Sequence, residues 1–210
     1  MIRQKAKGIL FIHIKEHLSL YTFITGLFLM GIVFGAIIVN SLPYESKSDL
    51  LNYLKQFFIE LARGQIADSP LLFRESLFND LQYIGFIWLL GLTVIGLPII
   101  FILLFLKGMV LGFTVGFLVS QMGTRGFLVA MVSVFPQNLL IIPVYLFLSV
   151  VSVAFSLKII RQLLMKTRKQ PILPQFLNYG LLLAVACVTL VVVSGYEAYI
   201  SPVLIRLFVS

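Results

Sequence analysis

The sequence predicts an all-α, polytopic transmembrane helix bundle of about five spans, N-in and C-out, with an external helical loop between spans 1 and 2. Three observations predict it. First, 60% of the 210 residues are hydrophobic and only 11% are charged, against about 25% charged in soluble domains. A water-soluble fold of this composition would expose large apolar patches. Second, apolar runs of roughly 20 residues recur, the length a helix needs to cross the hydrocarbon core at about 1.5 Å per residue. Third, basic residues gather beside those runs. The net charge of +8 therefore reads as an orientation signal and as affinity for anionic headgroups. It does not read as a nucleic-acid surface, because no basic stripe is interleaved with stacking aromatics. Cys187, the single cysteine, excludes an intrachain disulfide and reads as a small hydrophobe within an apolar run.

The chain reads as one integral membrane domain over 1–210, beginning with a cytoplasmic segment, 1–17. Arg3, Lys5, Lys7 and Lys15 hold this end inside. The first run, 18–39, is too long for a typical signal-peptide core and lacks a small-residue cleavage site, so it is expected to stay as the first span. The second, 83–106, contains Pro98, which should kink it. Lys107 then reads as cytoplasmic. The third run, 108–122, is short, and the fourth, 127–157, is too long for one straight crossing. Residues 158–174 follow as a basic cytoplasmic loop carrying Lys158, Arg161, Lys166, Arg168 and Lys169. Two crossings between Lys107 and this loop satisfy the charge bias, one through 108–122 and one through part of 127–157. The fifth run, 175–199, leads outward. On this division no Asp or Glu falls in the hydrophobic middle of a span, which leaves a proton or cation relay without its usual groups.

Residues 41–82 form the external loop. Leu50, Leu54, Phe57, Phe58 and Leu61 share one face of an amphipathic helix over 44–62, with Ser48 as an N-cap and Gly64 at its end. Ser69-Pro70 starts a second loop helix, 70–82. The apolar face of the first needs a partner: its own bundle, lipid, another subunit or an external protein. Leu54, Phe57, Phe58 and Leu61 are its candidate partner surface.

Two helix-packing patterns stand out. Gly31 and Gly35 form G-x-x-x-G in the first span, and Gly108, Gly112 and Gly116 extend the same spacing. Small residues every fourth position let helix backbones approach closely, within one chain or across a homodimer seam. The stretch His13–His17, "HIKEH", matches a zinc-peptidase pattern, but a zinc site needs a third protein ligand. The sequence has no other histidine, so neither a metal nor a cofactor is expected. No catalytic constellation is present: there is no nucleophile elbow, phosphate loop or buried pair of acids.

The stretch "VFPQNLLIIPVYL", 134–146, sets two amides between two prolines inside an apolar run. Each proline removes a backbone hydrogen bond, and in lipid the freed carbonyls must find partners. The amides of Gln137 and Asn138 both donate and accept. Pro136 should split the 127–157 run, with Pro136, Gln137, Asn138 and Pro143 forming a polar kink and Asn40 as its partner from the first span. A ligand or ion site at the same place is the sharper alternative. It would make the protein a small transporter or channel subunit using the kinked fourth span.

The basic amphipathic start, "GIVFGAIIVNS" (31–41), the loop containing "YLKQFF" and "PQNLLIIP" (136–143) together resemble the stage II sporulation protein M family of endospore-forming bacteria, over essentially the whole chain. In the wider family the last segment often reads Pro-His-Gly followed by Glu. Here it reads Pro136, Gln137, Asn138 and then apolar residues, so any role of that His or Glu does not carry over. The resemblance implies a non-enzymatic membrane scaffold of the engulfment complex at the sporulation septum and the engulfing mother-cell membrane. It would recruit two cell-wall hydrolases, an amidase and a lytic transglycosylase, known as stage II sporulation proteins D and P.

Overall fold

The structure is a computed structural model that describes residues 17–63, 69–165 and 172–199. Among these residues six helices follow in order: α1 Leu18–Ser41, α2 Tyr44–Arg63, α3 Ser69–Gly91, α4 Gly96–Ser133, α5 Phe135–Met165 and α6 Ile172–Tyr199. Four of them contain segments long and apolar enough to cross a membrane: Leu18–Ser41, Gly96–Ser133, Phe135–Arg161 and Tyr179–Tyr199. Their outward faces are apolar at helical spacing, as with Phe23, Met30, Phe34 and Ile37 on α1 and Leu177, Leu181, Val185, Val188 and Val192 on α6. Exposed apolar faces of this extent are lipid-facing surface.

The largest helix interface joins α1 and α4. Gly31 lies on the backbone of Phe105 and Met109, and Gly35 on that of Met109 and Phe113. Gly108 and Gly112 lie in turn on the backbone of Phe28 and Ile32, and Gly116 against Ala36. Residue numbers rise together on both helices, so α1 and α4 run parallel. Two parallel spans require the chain to cross back between them. Only α3 can make that crossing, although its own composition keeps it out of the apolar set. It packs against α4, α5 and α6. The five-helix bundle is therefore α1, α3, α4, α5 and α6, and with the N-terminus inside, as the basic residues place it, α1, α4 and α6 lead outward while α3 and α5 return.

The spans are divided differently from the expectation. The run 83–106 breaks at 92–95, where α3 ends and α4 begins. Thr93 Oγ1 accepts from the Gly96 N–H at 3.1 Å and donates to the Leu90 carbonyl at 3.0 Å. Gly96 lies so close to the Leu90 backbone that a Cβ would collide with it. Pro98 thus falls in the first turn of α4, where its missing N–H has no helical partner to lose, and it kinks no span. The expected third span, 108–122, is the outer part of the same helix. At Gly123 the backbone enters the left-handed region, φ 58°, and Gly126 returns against the Leu118 carbonyl. The chain turns there, and 124–133 is a short helical return before α5. The helical loop is correspondingly shorter than 41–82, because 69–91 is one continuous helix.

Hydroxyls within the helices follow the rule that polar groups in lipid are satisfied locally. Thr22, Thr114, Ser133 and Thr189 each donate to the carbonyl four residues earlier, at 2.7–3.0 Å.

Candidate functional site: a buried ionic cluster between four helices

α3 carries Ser76, Asp80 and Tyr83 at i, i+4 and i+7, which puts them on one helix face. That face meets α4, α5 and α6. Asp80 is 4% exposed. Its Oδ1 accepts a hydrogen bond from the Tyr145 hydroxyl of α5 at 2.5 Å, and the Lys107 ammonium of α4 lies 3.7 Å from the same oxygen. The Lys107 Nζ also stands 5.1 Å from the centroids of both the Tyr83 and Tyr145 rings, which are themselves 4.8 Å apart. Tyr83 donates to the Leu103 carbonyl at 2.5 Å. A carboxylate, an ammonium and two aromatic faces thus close on one another, the arrangement in which a charge pair survives with little water.

One turn outward on α3, the Ser76 hydroxyl donates to the Glu197 carboxylate of α6, with the Ser194 hydroxyl at 3.5 Å. Glu197 is close enough to Tyr145 to act on it electrostatically. Three titratable groups therefore sit within the bundle, Asp80 and Lys107 near the middle of their helices and Glu197 near the outer end of α6. This corrects three expectations. Asp80 is no part of an external loop, Lys107 is no cytoplasmic end marker, and acids do lie inside the bundle. The physical reason is pairing: each group is costly alone, and the partner comes from a different helix.

A second polar group closes the inner end of α3. Ser156 of α5 donates to the carbonyls of Gly91 and Thr93, at 2.7 and 2.9 Å. The Tyr179 hydroxyl of α6 donates to the Trp88 carbonyl at 2.9 Å and shares a 2.7 Å hydrogen bond with Ser152. The Tyr179 ring stacks between Trp88 and Phe155, with centroids 5.3 and 4.8 Å away. These bonds satisfy carbonyls that a helix end leaves open. Ser156→Ala should lower stability by about 1–2 kcal/mol, the cost of a buried acceptor left unpaired. Thermal unfolding in detergent measures it, and an unshifted midpoint would show that the two carbonyls need no partner.

The residues singled out in the sequence are dispersed. Pro136 stands in the first turn of α5, and α4 ends at Ser133. The Asn138 amide donates to the Val134 carbonyl at 2.8 Å, a local repair of the break. Among the described residues no hydrogen bond joins Asn40 to Gln137 or Asn138, and the Asn40 carbonyl instead accepts from Lys47 at 3.1 Å. Pro143 lies within α5, on an exposed face. Gly31, Gly35, Gly108 and Gly112 are buried between α1 and α4, which leaves them no seam for a second copy. α2 starts at Tyr44, so Ser48 lies inside it rather than at its cap. Leu54 is half-buried. The side chains of Phe57, Phe58 and Leu61 lie outside the described residues, as do His13, Glu16 and Gly64.

Sequence reasoning missed the cluster because α3 was divided between loop and span. Two signals pointed to it. Lys107 is the one charged residue between Gly96 and Met122. Tyr145, Ser149, Ser152 and Ser156 recur at intervals of four, three and four, a polar stripe down one face of an otherwise apolar helix.

In comparison with protein families, the model for stage II sporulation protein M matches residues 24–202. No match is found among curated proteins or among solved structures.

Proposed function

The chain belongs to the stage II sporulation protein M family, a family of sporulation membrane proteins, and from that premise we propose that it is a non-enzymatic scaffold that holds cell-wall hydrolases at the septal membrane during engulfment. The partners under this reading are the amidase and the lytic transglycosylase of the engulfment complex, stage II sporulation proteins D and P. The observation that carries it is α2. It is the one helix that does not pack substantially on another among the described residues, yet it is amphipathic. Leu50, Tyr53 and Ile59 are exposed on it. It follows directly on the outer end of α1, which holds it at the membrane surface on the wall side. A short amphipathic helix tethered at both ends presents apolar anchors to a partner's membrane-proximal segment.

The test is co-purification from sporulating membranes. Leu54→Asp, and separately Phe57→Asp or Phe58→Asp, should leave insertion and bundle stability unchanged and abolish recovery of the two hydrolases. Recovery at the wild-type level would overturn the assignment of this surface. α2 lies outside the bundle, so these variants test recruitment apart from folding.

A further inference from the structure

Only Leu42 and Pro43 separate α2 from the outer end of α1. The chain from Ser41 to Tyr44 reaches at most about 11 Å, so α2 begins beside the membrane surface. Lys47 fixes which way the helix faces. Its Nζ donates to the Asn40 carbonyl in the last turn of α1 at 3.1 Å, a cation on the open carbonyls of a helix C-terminus. The Lys47 face of α2 is thereby turned toward the membrane-embedded helix. Leu50, Leu51 and Leu54 stand at i+3, i+4 and i+7 from Lys47, so they share that face. Lys47, Leu51 and Leu54 are half-buried, whereas Glu45, Asp49, Asn52 and Gln56 opposite them are exposed. Tyr44 and Tyr53, 86% and 72% exposed, flank the stripe on its two sides at about 100° per residue. An aromatic ring with a polar tip on each edge of an apolar face is the pattern of the membrane interface.

We infer that α2 is a membrane-contact element, with its Leu50, Leu51 and Leu54 stripe seated in the outer leaflet where headgroups meet acyl chains, and with its Asp49 and Asn52 face turned to the wall. The occupant of the stripe is lipid. The Lys47 tether directs the stripe to the surface that α1 crosses, and α2 packs substantially on no other helix among the described residues. The contact is apolar and not electrostatic, because Lys47, Lys55 and Arg63 are matched in the α2 sequence by Glu45, Asp49 and Glu60. An amphipathic helix of low net hydrophobicity lies in the plane of the interface. The inference deepens the scaffold reading and rests on it for one consequence. A hydrolase segment that meets the stripe must itself enter the outer leaflet, so it comes along the membrane and not from above.

Purified full-length protein in liposomes, carrying Cys187→Ala and an NBD fluorophore on either Leu54→Cys or Asn52→Cys, tests this seat. The vesicles are phosphatidylcholine, with or without phosphatidylglycerol, and contain a lipid spin-labelled near the head of its acyl chain. The spin label should quench the probe at Leu54→Cys several-fold more than the probe at Asn52→Cys, equally in both lipid mixtures. Aqueous iodide should quench them in the reverse order. Equal quenching at the two positions would overturn the seat. So would lipid quenching that requires phosphatidylglycerol, which is a headgroup charge contact, or a Leu54→Cys probe shielded from both quenchers and only at high protein density, which is a second copy on the stripe. No hydrolase is present in these vesicles, so the lipid contact and hydrolase recruitment are read separately. Loss of the first leaves recruitment to be judged by co-purification, and loss of the second leaves the lipid contact in place.

Discussion

Lys107→Met is expected to destabilise the bundle by about 3 kcal/mol, because it strands the Asp80 carboxylate between four helices. Breaking a buried pair from one side typically costs about 3–5 kcal/mol. The lower end applies because the Lys107 side chain is 27% exposed and Asp80 keeps the Tyr145 hydroxyl. The effect should reach topology as well. α3 is not apolar enough to rank with the four span-forming helices, and its Asp80 crosses the membrane only in company with Lys107. Cysteines placed near Ser69 and Thr93 should lose their opposite-sided labelling in a fraction of Lys107→Met molecules. The double variant Asp80→Asn/Lys107→Met removes both charges and should recover most of the lost stability. The pairing of α3 with α4 would have to be given up if Lys107→Met melted like wild type in detergent and labelled like it in cells.

Gly112→Val should have the second large effect. A Cβ at Gly112 would collide with the backbone of Ile32, carbonyl included. Backbone cannot change rotamer, so α1 and α4 must separate along their length. Overpacking costs about 1–3 kcal/mol where side chains can yield, and here the obstacle is a helix, which puts the expected loss at the top of that range. Gly35→Val, against Met109, should behave alike. Gly26→Ala provides the control. No atom stands within 4 Å of the place its Cβ would take, and alanine favours the helix by up to about 1 kcal/mol over glycine. Thermal unfolding of the three variants separates interface packing from helix propensity, and equal midpoints for Gly112→Val and Gly26→Ala would remove the close α1–α4 contact.

The glycine series shows how far a sequence pattern reaches. Spacing of four in two apolar runs announced two backbones in close approach, and it could not say which. The parallel pairing of α1 with α4 settled that, and with it the route of α3. The polar stretch at 134–146 was legible in part. The break before α5 falls where Pro136 suggested, whereas the amide of Asn138 closes on its own chain through Val134 and not on Asn40. A side chain within reach of a local carbonyl loses less freedom than one that waits for a distant helix, and no spacing rule distinguishes the two. The match to stage II sporulation protein M over residues 24–202 agrees with the family resemblance of the sequence motifs.

What the sequence determined by itself is the solvent. Its composition and the length of its apolar runs demand lipid, and lipid demands helices, because only they satisfy every backbone group within one segment. Its basic residues predict the orientation. The tertiary structure alone decided where the charges go. Asp80, Lys107 and Glu197 come from three different helices, and each read singly belongs at a surface. Whether an ionic group can enter the bundle depends on what faces it from the neighbouring helix, a three-dimensional property that hydropathy along one dimension does not contain.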